Sequence, residues 1–137
     1  MDRIVGIDYG KKRTGIAVSD PLLIFASPLE TVPSANLINF LKNYTQKESV
    51  SLFVVGYPMD LHYKPAEAAK YVDELLVRLK KNFPSIPVRT EDERFTSKLA
   101  FQSLIDSGVS KSGRRDKAAV DKVSAAIILQ TYLDNRK

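Results

Sequence analysis

Residues 6–20 read GIDYGKKRTGIAVSD, and with Ile4 and Val5 ahead of them they describe a strand that turns back on itself. Ile4, Val5 and Ile7 form an apolar run of the kind that is buried in a sheet. Tyr9 to Arg13 supply Gly10 and three cations for a tight connection, and Gly15 to Val18 read as the antiparallel return. Asp8 is left at the mouth of this hairpin. A carboxylate there can bond the turn backbone, as Asp often does at strand ends, or it can face a site.

Working outward, strands come first and then alternate with helices. Leu22 to Ala26 and Leu29 to Val32 read as extended, punctuated by Pro21, Pro28 and Pro33, so a third strand completes an antiparallel meander. Ser34 is placed to cap a helix carrying Leu37, Ile38, Leu41 and Tyr44. Ser51 to Val55 is a buried strand ended by Gly56 and Pro58. Pro65 opens a helix through Val72, Leu75, Leu76 and Leu79. Ile86 to Thr90 is a short strand, and Thr96 or Ser97 caps a helix that Gly108 stops. The polar stretch Ser107 to Lys117 is a loop, and Ala118 to Leu133 is the last helix. The order βββ-α-β-α-β-α-α predicts an α/β fold with a mixed sheet.

The chain has 137 residues, 44% of them apolar, enough for one core, so residues 1–137 are read as a single domain. Cysteine is absent, which excludes disulfides, thiolate metal sites and a Cys nucleophile. Lys and Arg number 21 against 16 Asp and Glu, a net charge of +5, which suits a polyanionic partner. No apolar run reaches the length of a membrane span, and Met1-Asp2-Arg3 leads straight into a strand without a signal-like segment. A cytoplasmic protein with no membrane partner is expected.

Two further acidic positions join Asp8. The strand through Val88-Arg89-Thr90 runs into Glu91-Asp92-Glu93, at the end of a strand where sites on such sheets tend to lie. Glu93 or Asp92 can face Asp8, or the cluster can be solvated ahead of a helix. In the last helix, at about 100° per residue, Asp121 falls on the same arc as Ala125, Ile128 and Tyr132, inside the apolar stripe. A carboxylate there points at the sheet and is costly unless paired or metal-bound, whereas at a fraying first turn it would escape to solvent.

Carboxylates converging from the first strand, a later strand end and the final helix make a hard, oxygen-lined site suited to Mg²⁺ or Mn²⁺. With two such ions the site can hydrolyse a phosphodiester without a separate general base. That is consistent with a single histidine, His62, far in sequence from every candidate ligand.

Four segments, GIDYGKKRTGIAVSD, VVGYP at 54–58, DERFTS at 92–97 and DKVSAAIILQTYLD at 121–134, together resemble the YqgF family, also called RuvX. Its members are described as pre-16S rRNA nucleases with a ribonuclease H-like fold and as Holliday-junction resolvases. The resemblance covers essentially the whole chain. It implies a five-stranded mixed sheet, three antiparallel N-terminal strands followed by two parallel ones, flanked by helices. It maps catalytic and metal-binding acids onto Asp8, Glu93 and Asp121, and it is the resemblance that selects Glu93 over Asp92. One departure is visible. Members follow Gly-x-Pro with a glycine-containing loop, whereas here Tyr57-Pro58 leads into Met59 to Lys64 without glycine.

Cations border each acid: Lys11, Lys12 and Arg13 beside Asp8, Arg94 after Glu93, and Lys111, Arg114, Arg115 and Lys117 before Asp121, as nucleic-acid phosphates would require. Tyr57, Tyr63 and Phe95 can stack on unpaired bases or serve as packing. The leading reading is a metal-dependent endonuclease on structured RNA, processing the 5′ end of pre-16S rRNA on ribosomal precursor particles, with branched DNA as the alternative substrate and a monomer or homodimer as the assembly. Two other classes compete. Asp8-x-Gly10 followed by Thr14-Gly15 also resembles the phosphate loop of actin-like and sugar-kinase folds, but those clamp nucleotide between two domains and this chain is short. A nucleic-acid-binding module without catalysis has no need of three acids.

Overall fold

The computed structural model describes residues 2–59, 67–93, 99, 102 and 117–136. The hairpin forms as the apolar runs and the Gly10 turn predict: β1 (Arg3–Tyr9) pairs antiparallel with β2 (Arg13–Ser19), with Asp8 opposite Gly15. β3 (Ala26–Pro33) pairs antiparallel with β2. β4 (Val50–Tyr57) lies parallel to β1 on its other side, and β5 (Val88–Asp92) parallel to β4. The sheet has five strands in the order β3-β2-β1-β4-β5, the mixed arrangement that the sequence implies.

Strand parity sorts the side chains onto two faces. On one, Val5, Ile7, Ile16, Val18, Phe53 and Val55 are buried beneath α1 (Leu37–Lys47) and α2 (Ala69–Asn82), which contribute Leu37, Leu41, Val72, Leu75 and Leu79. On the other, Ile4, Ala17, Leu52 and Val54 meet a single long helix, α3 (Lys117–Asn135), through Ala125, Ala126, Ile128, Leu129 and Leu133. Each large aliphatic side chain so buried contributes about 1.5–3 kcal/mol. The same parity puts Asp8 with Ile4, and Arg13 and Gly15 with Ala17, on the face that α3 covers.

Three readings of the sequence need correction. Leu22 to Phe25 is a turn, and β3 starts only at Ala26. The Asp20 carboxylate accepts from the backbone N–H groups of Leu22, Ile24 and Phe25, and Leu23 takes a left-handed φ of 60°, so the apolar run is wound locally and Leu22 and Phe25 are exposed. Pro28, which lacks an N–H, is tolerated because β3 is an edge strand whose register shifts between Ile16 and Ala17 of its partner. Ser34 opens a 3-10 turn but makes no side-chain cap. Its hydroxyl donates to Gly10 O at 2.5 Å and lies 2.8 Å from Thr14 Oγ1, tying the tip of the hairpin to the start of α1. The short strand predicted at Ile86 to Thr90 spans Val88–Asp92, because Ile86 is held in a turn by its N–H bond to Phe83 O. Pro65 and the helix expected between Thr96 and Gly108 lie outside the described residues, except that Leu99 and Gln102 are helical. Among the described residues, no helix is long and apolar enough to cross a membrane.

Candidate active site

β1, β4 and β5 run parallel, so their C-terminal ends open at the same edge of the sheet, and Asp8 and Glu93 stand at two of those ends. Glu93 extends the β5 ladder by one bond, its N–H donating to Tyr57 O at 3.2 Å. Val88 faces α1 and α2, so alternation turns Glu91 and Glu93 to the α3 face. β4 lies between β1 and β5, and its residue at this level is Gly56. A Cβ on Gly56 would stand 2.6 Å from Glu93 Oε2 and 2.5 Å from Ile128 Cδ1. The missing side chain is the notch through which Glu93 reaches across β4 to hydrogen-bond Asp8.

Burial and mutual repulsion set the charge of this pair. Desolvation, then the Asp8 charge and its hydrogen bond, then the Asp92 charge, push Glu93 up to about 9. Desolvation and the Asp121 charge outweigh the hydrogen bond from Glu93 and push Asp8 up to about 6. At neutral pH Glu93 is therefore the protonated donor and Asp8 the charged acceptor.

The third acid approaches from α3. Gly15, opposite Asp8 in the hairpin, leaves room for the helix backbone: a Cβ there would fall 2.0 Å from the Asp121 carbonyl oxygen. Thr31 Oγ1 on β3 donates to Ala118 O at 2.6 Å and fixes the first turn of α3. Asp121 does not escape to solvent. Its Oδ2 accepts from Arg13 Nε at 2.7 Å, with the two side chains 22% and 40% exposed. Arg13, read in the sequence as a contact for nucleic acid, is thus the counter-charge of an acid. Among the described residues, no three Asp, Glu, His or Cys side chains close around a point that could hold a metal ion. Two acids are in contact, and the third is held to one side by Arg13. The donor set still suits a hard dication: every candidate ligand is a carboxylate, and a carboxyl–carboxylate contact is one that a shared proton or a shared cation can hold.

The cations divide. Lys11 is exposed and lies over the Tyr71 ring, 5.8 Å from its centroid, while Lys12 and Lys117 are exposed. Arg94, Lys111, Arg114 and Arg115 lie outside the described residues, as do His62, Tyr63 and Phe95 and all of the 59–64 loop except Met59. Tyr57 packs against the α1–α2 core and donates its hydroxyl to Asp73 Oδ1 at 2.9 Å, a structural role. The reading of the sequence missed Gly15 and Gly56. A glycine inside a strand is itself the signal for a close approach by another element.

A family model described as RuvX, Holliday junction resolvase, matches residues 2–135. The chain is 50% identical over 135 residues to a Porphyromonas gingivalis protein named "Putative pre-16S rRNA nuclease", covering 98% of each chain. A Flavobacterium johnsoniae protein of the same name is 46% identical over 137 residues, 100% of this chain and 99% of that one. Two solved structures share the fold. Thermus thermophilus RuvC in complex with a Holliday junction substrate superposes with a TM-score of 0.57 at 16% identity, covering 99% of this chain and 96% of that one. Fowlpox virus resolvase with Holliday junction DNA gives 0.60 at 10% identity, covering 98% of both. At these identities the likeness is one of fold, and the sheet described above is the ribonuclease H-like sheet of the RuvC resolvases. With half of its residues shared with a full-length relative and a family match spanning 2–135, the chain belongs to the RuvX family.

Proposed function

We propose that this chain is a nuclease that hydrolyses phosphodiester bonds in structured RNA, maturing the 5′ end of pre-16S rRNA in the cytoplasm as a single domain over residues 1–137. The observation that carries the reading is the Glu93–Asp8 contact at the C-terminal ends of parallel strands, with Asp121 beside it. The names of the relatives point to the substrate. Asp8, Glu93 and Asp121 are the residues that would hold Mg²⁺ or Mn²⁺. A bound pair of such ions supplies Lewis acidity and an activated water for the hydrolysis. The chain's own contribution is positional: Gly56 clears the path of Glu93, Gly15 brings α3 against β2, and burial keeps bulk water from screening the acids. Lys11, Lys12, Lys117, Arg94, Lys111, Arg114 and Arg115 would hold substrate phosphates.

A second reading, cleavage of branched DNA, is favoured by the family description and by the fold shared with resolvases. One experiment tests both. Purified protein and an Asp8→Asn variant are incubated with precursor rRNA and with a four-way DNA junction, with and without Mn²⁺. Mn²⁺-dependent cleavage of the RNA that falls at least about 100-fold in the variant supports the proposal. Cleavage confined to the junction transfers it to the second reading, and cleavage retained in Asp8→Asn rejects the acid assignment.

A further inference from the structure

The Arg13–Asp121 pair joins residues 108 positions apart in sequence, and its acid lies near enough to act on Asp8 through charge. The backbone on both sides of it is fixed. Arg13 begins β2 and is paired with Pro33 of β3. The Asp121 carbonyl lies where a Cβ on Gly15 would stand, and the turn before it is bonded to Thr31. Asp121 therefore cannot approach Asp8 by moving the helix. Its carboxylate has only its own side-chain torsions with which to turn from Arg13 toward Asp8, whose charge already feels it.

We propose that Arg13 is a positioning residue that holds Asp121 away from the Asp8–Glu93 pair in the metal-free chain and releases it when a divalent cation binds, so that guanidinium and cation compete for one carboxylate. The inference rests on the metal-site reading above and adds to it a cost: wild-type metal affinity is lowered by the free energy of parting the pair. In the absence of cation Arg13 offsets part of the Asp121 charge that adds to the repulsion around Asp8. When cation enters, that offset is no longer needed, and Asp121 changes partner without movement of the fold.

Removing any nearby cation raises metal affinity a little through long-range attraction, so the test compares Arg13 with Lys12, which carries the same charge on the same turn without bonding Asp121. Mn²⁺ alone is titrated calorimetrically into the full chain as wild type, Asp8→Asn, Lys12→Gln, Arg13→Gln, Asp121→Asn and the Arg13→Gln/Asp121→Asn double variant. Arg13→Gln is expected to tighten binding about 10-fold and Lys12→Gln by no more than about 2-fold, because an exposed charge is screened. In the Asp121→Asn background the effect of Arg13→Gln should shrink to that of Lys12→Gln, the signature of a direct pairwise interaction. Equal gains from Arg13→Gln and Lys12→Gln, or weaker binding in Arg13→Gln, overturn the proposal. Mn²⁺ binding that ignores Asp8→Asn removes the parent reading, and this one with it. Should Arg13→Gln unfold when metal-free, Arg13→Met, which keeps an apolar stem but has no donor for Asp121, takes its place: tightening well beyond that of Lys12→Gln supports the proposal and an equal gain or weaker binding overturns it.

Discussion

Glu93 donates a hydrogen bond to Asp8 across an intervening strand, over the bare backbone of Gly56. The proton it carries links folding to pH. In the unfolded chain Glu93 returns to its ordinary value of 4.5, whereas in the fold it stands at about 9. Between those values the folded state binds the extra proton. The stabilisation is therefore complete below the unfolded value and is lost as pH rises through the folded one. Asp8, raised from 3.8 to about 6, acts in the same direction over a lower window. The melting temperature in EDTA is expected to fall by several degrees between about pH 5 and about pH 9, and Glu93→Gln should flatten the upper part of that decline. Thermal unfolding across pH, with a wild-type curve that rises or stays level, would contradict the shared proton.

The two site glycines separate stability from chemistry. In Gly15→Ala the new methyl meets backbone, the Asp121 carbonyl at 2.0 Å, and neither strand nor helix can yield cheaply. A loss of about 3 kcal/mol or more is expected. In Gly56→Ala the methyl meets the ends of two side chains, Glu93 and Ile128, which can rotate aside for about 1 kcal/mol. Glu93 then leaves Asp8, and cleavage should drop roughly 100-fold. Denaturant unfolding beside a nuclease assay checks both, and a Gly56→Ala protein with full activity would show that the Glu93–Asp8 contact is dispensable.

Ser124, one turn beyond Asp121 on α3, is 1% exposed, and its hydroxyl has no partner among the described residues. Replacing it with Ala removes an unmet polar group and improves helix propensity. Ser124→Ala should stabilise the protein by about 1 kcal/mol, read as a melting temperature a few degrees higher. A lower one would mean that the hydroxyl is bonded after all.

Substrate binding should carry the imprint of the cations that meet phosphate. Removing one cation that touches a phosphate should reduce the slope of log affinity against log salt by about 1. Lys12→Ala is expected to lower it once and Arg114→Ala/Arg115→Ala about twice, with turnover at saturating RNA much less affected. Filter binding across a salt series measures the slopes, and unchanged slopes would remove these residues from the interface.

Much of this architecture was legible in the chain because its central strands are short apolar runs set off by glycine, proline and charge. The hairpin follows from two apolar runs and the turn residues between them, and the long final helix from its apolar stripe, while the strand directions of the mixed sheet come from the family resemblance. Parity could also have separated Glu93 from Asp92, since Val88 fixes which face is which, but only after α1 and α2 are known to cover the Val88 face. Hydropathy misled at Leu22 to Phe25, where one carboxylate, Asp20, organises three backbone amides and outweighs the tendency of apolar residues to extend and bury. Ser34 stands where a cap would, yet the oxygens of Gly10 and Thr14 hold its hydroxyl. Arg13 was hidden for a different reason. In a run of three cations nothing local distinguishes the one that finds a partner on a distant helix.

The tie from Ser34 to Gly10 and Thr14 bears on recognition as well as on folding. A two-strand tip carrying Lys11 and Lys12 would ordinarily lose conformational freedom on meeting a phosphate backbone, and that loss subtracts from affinity. Here the tip is already anchored to the start of α1 and its register is set, so the two ammonium groups are presented on a stiff mount. A phosphate backbone that bound there would meet a tip that has little left to rearrange. Only the lysine stems, and not the backbone beneath them, would then lose freedom on binding.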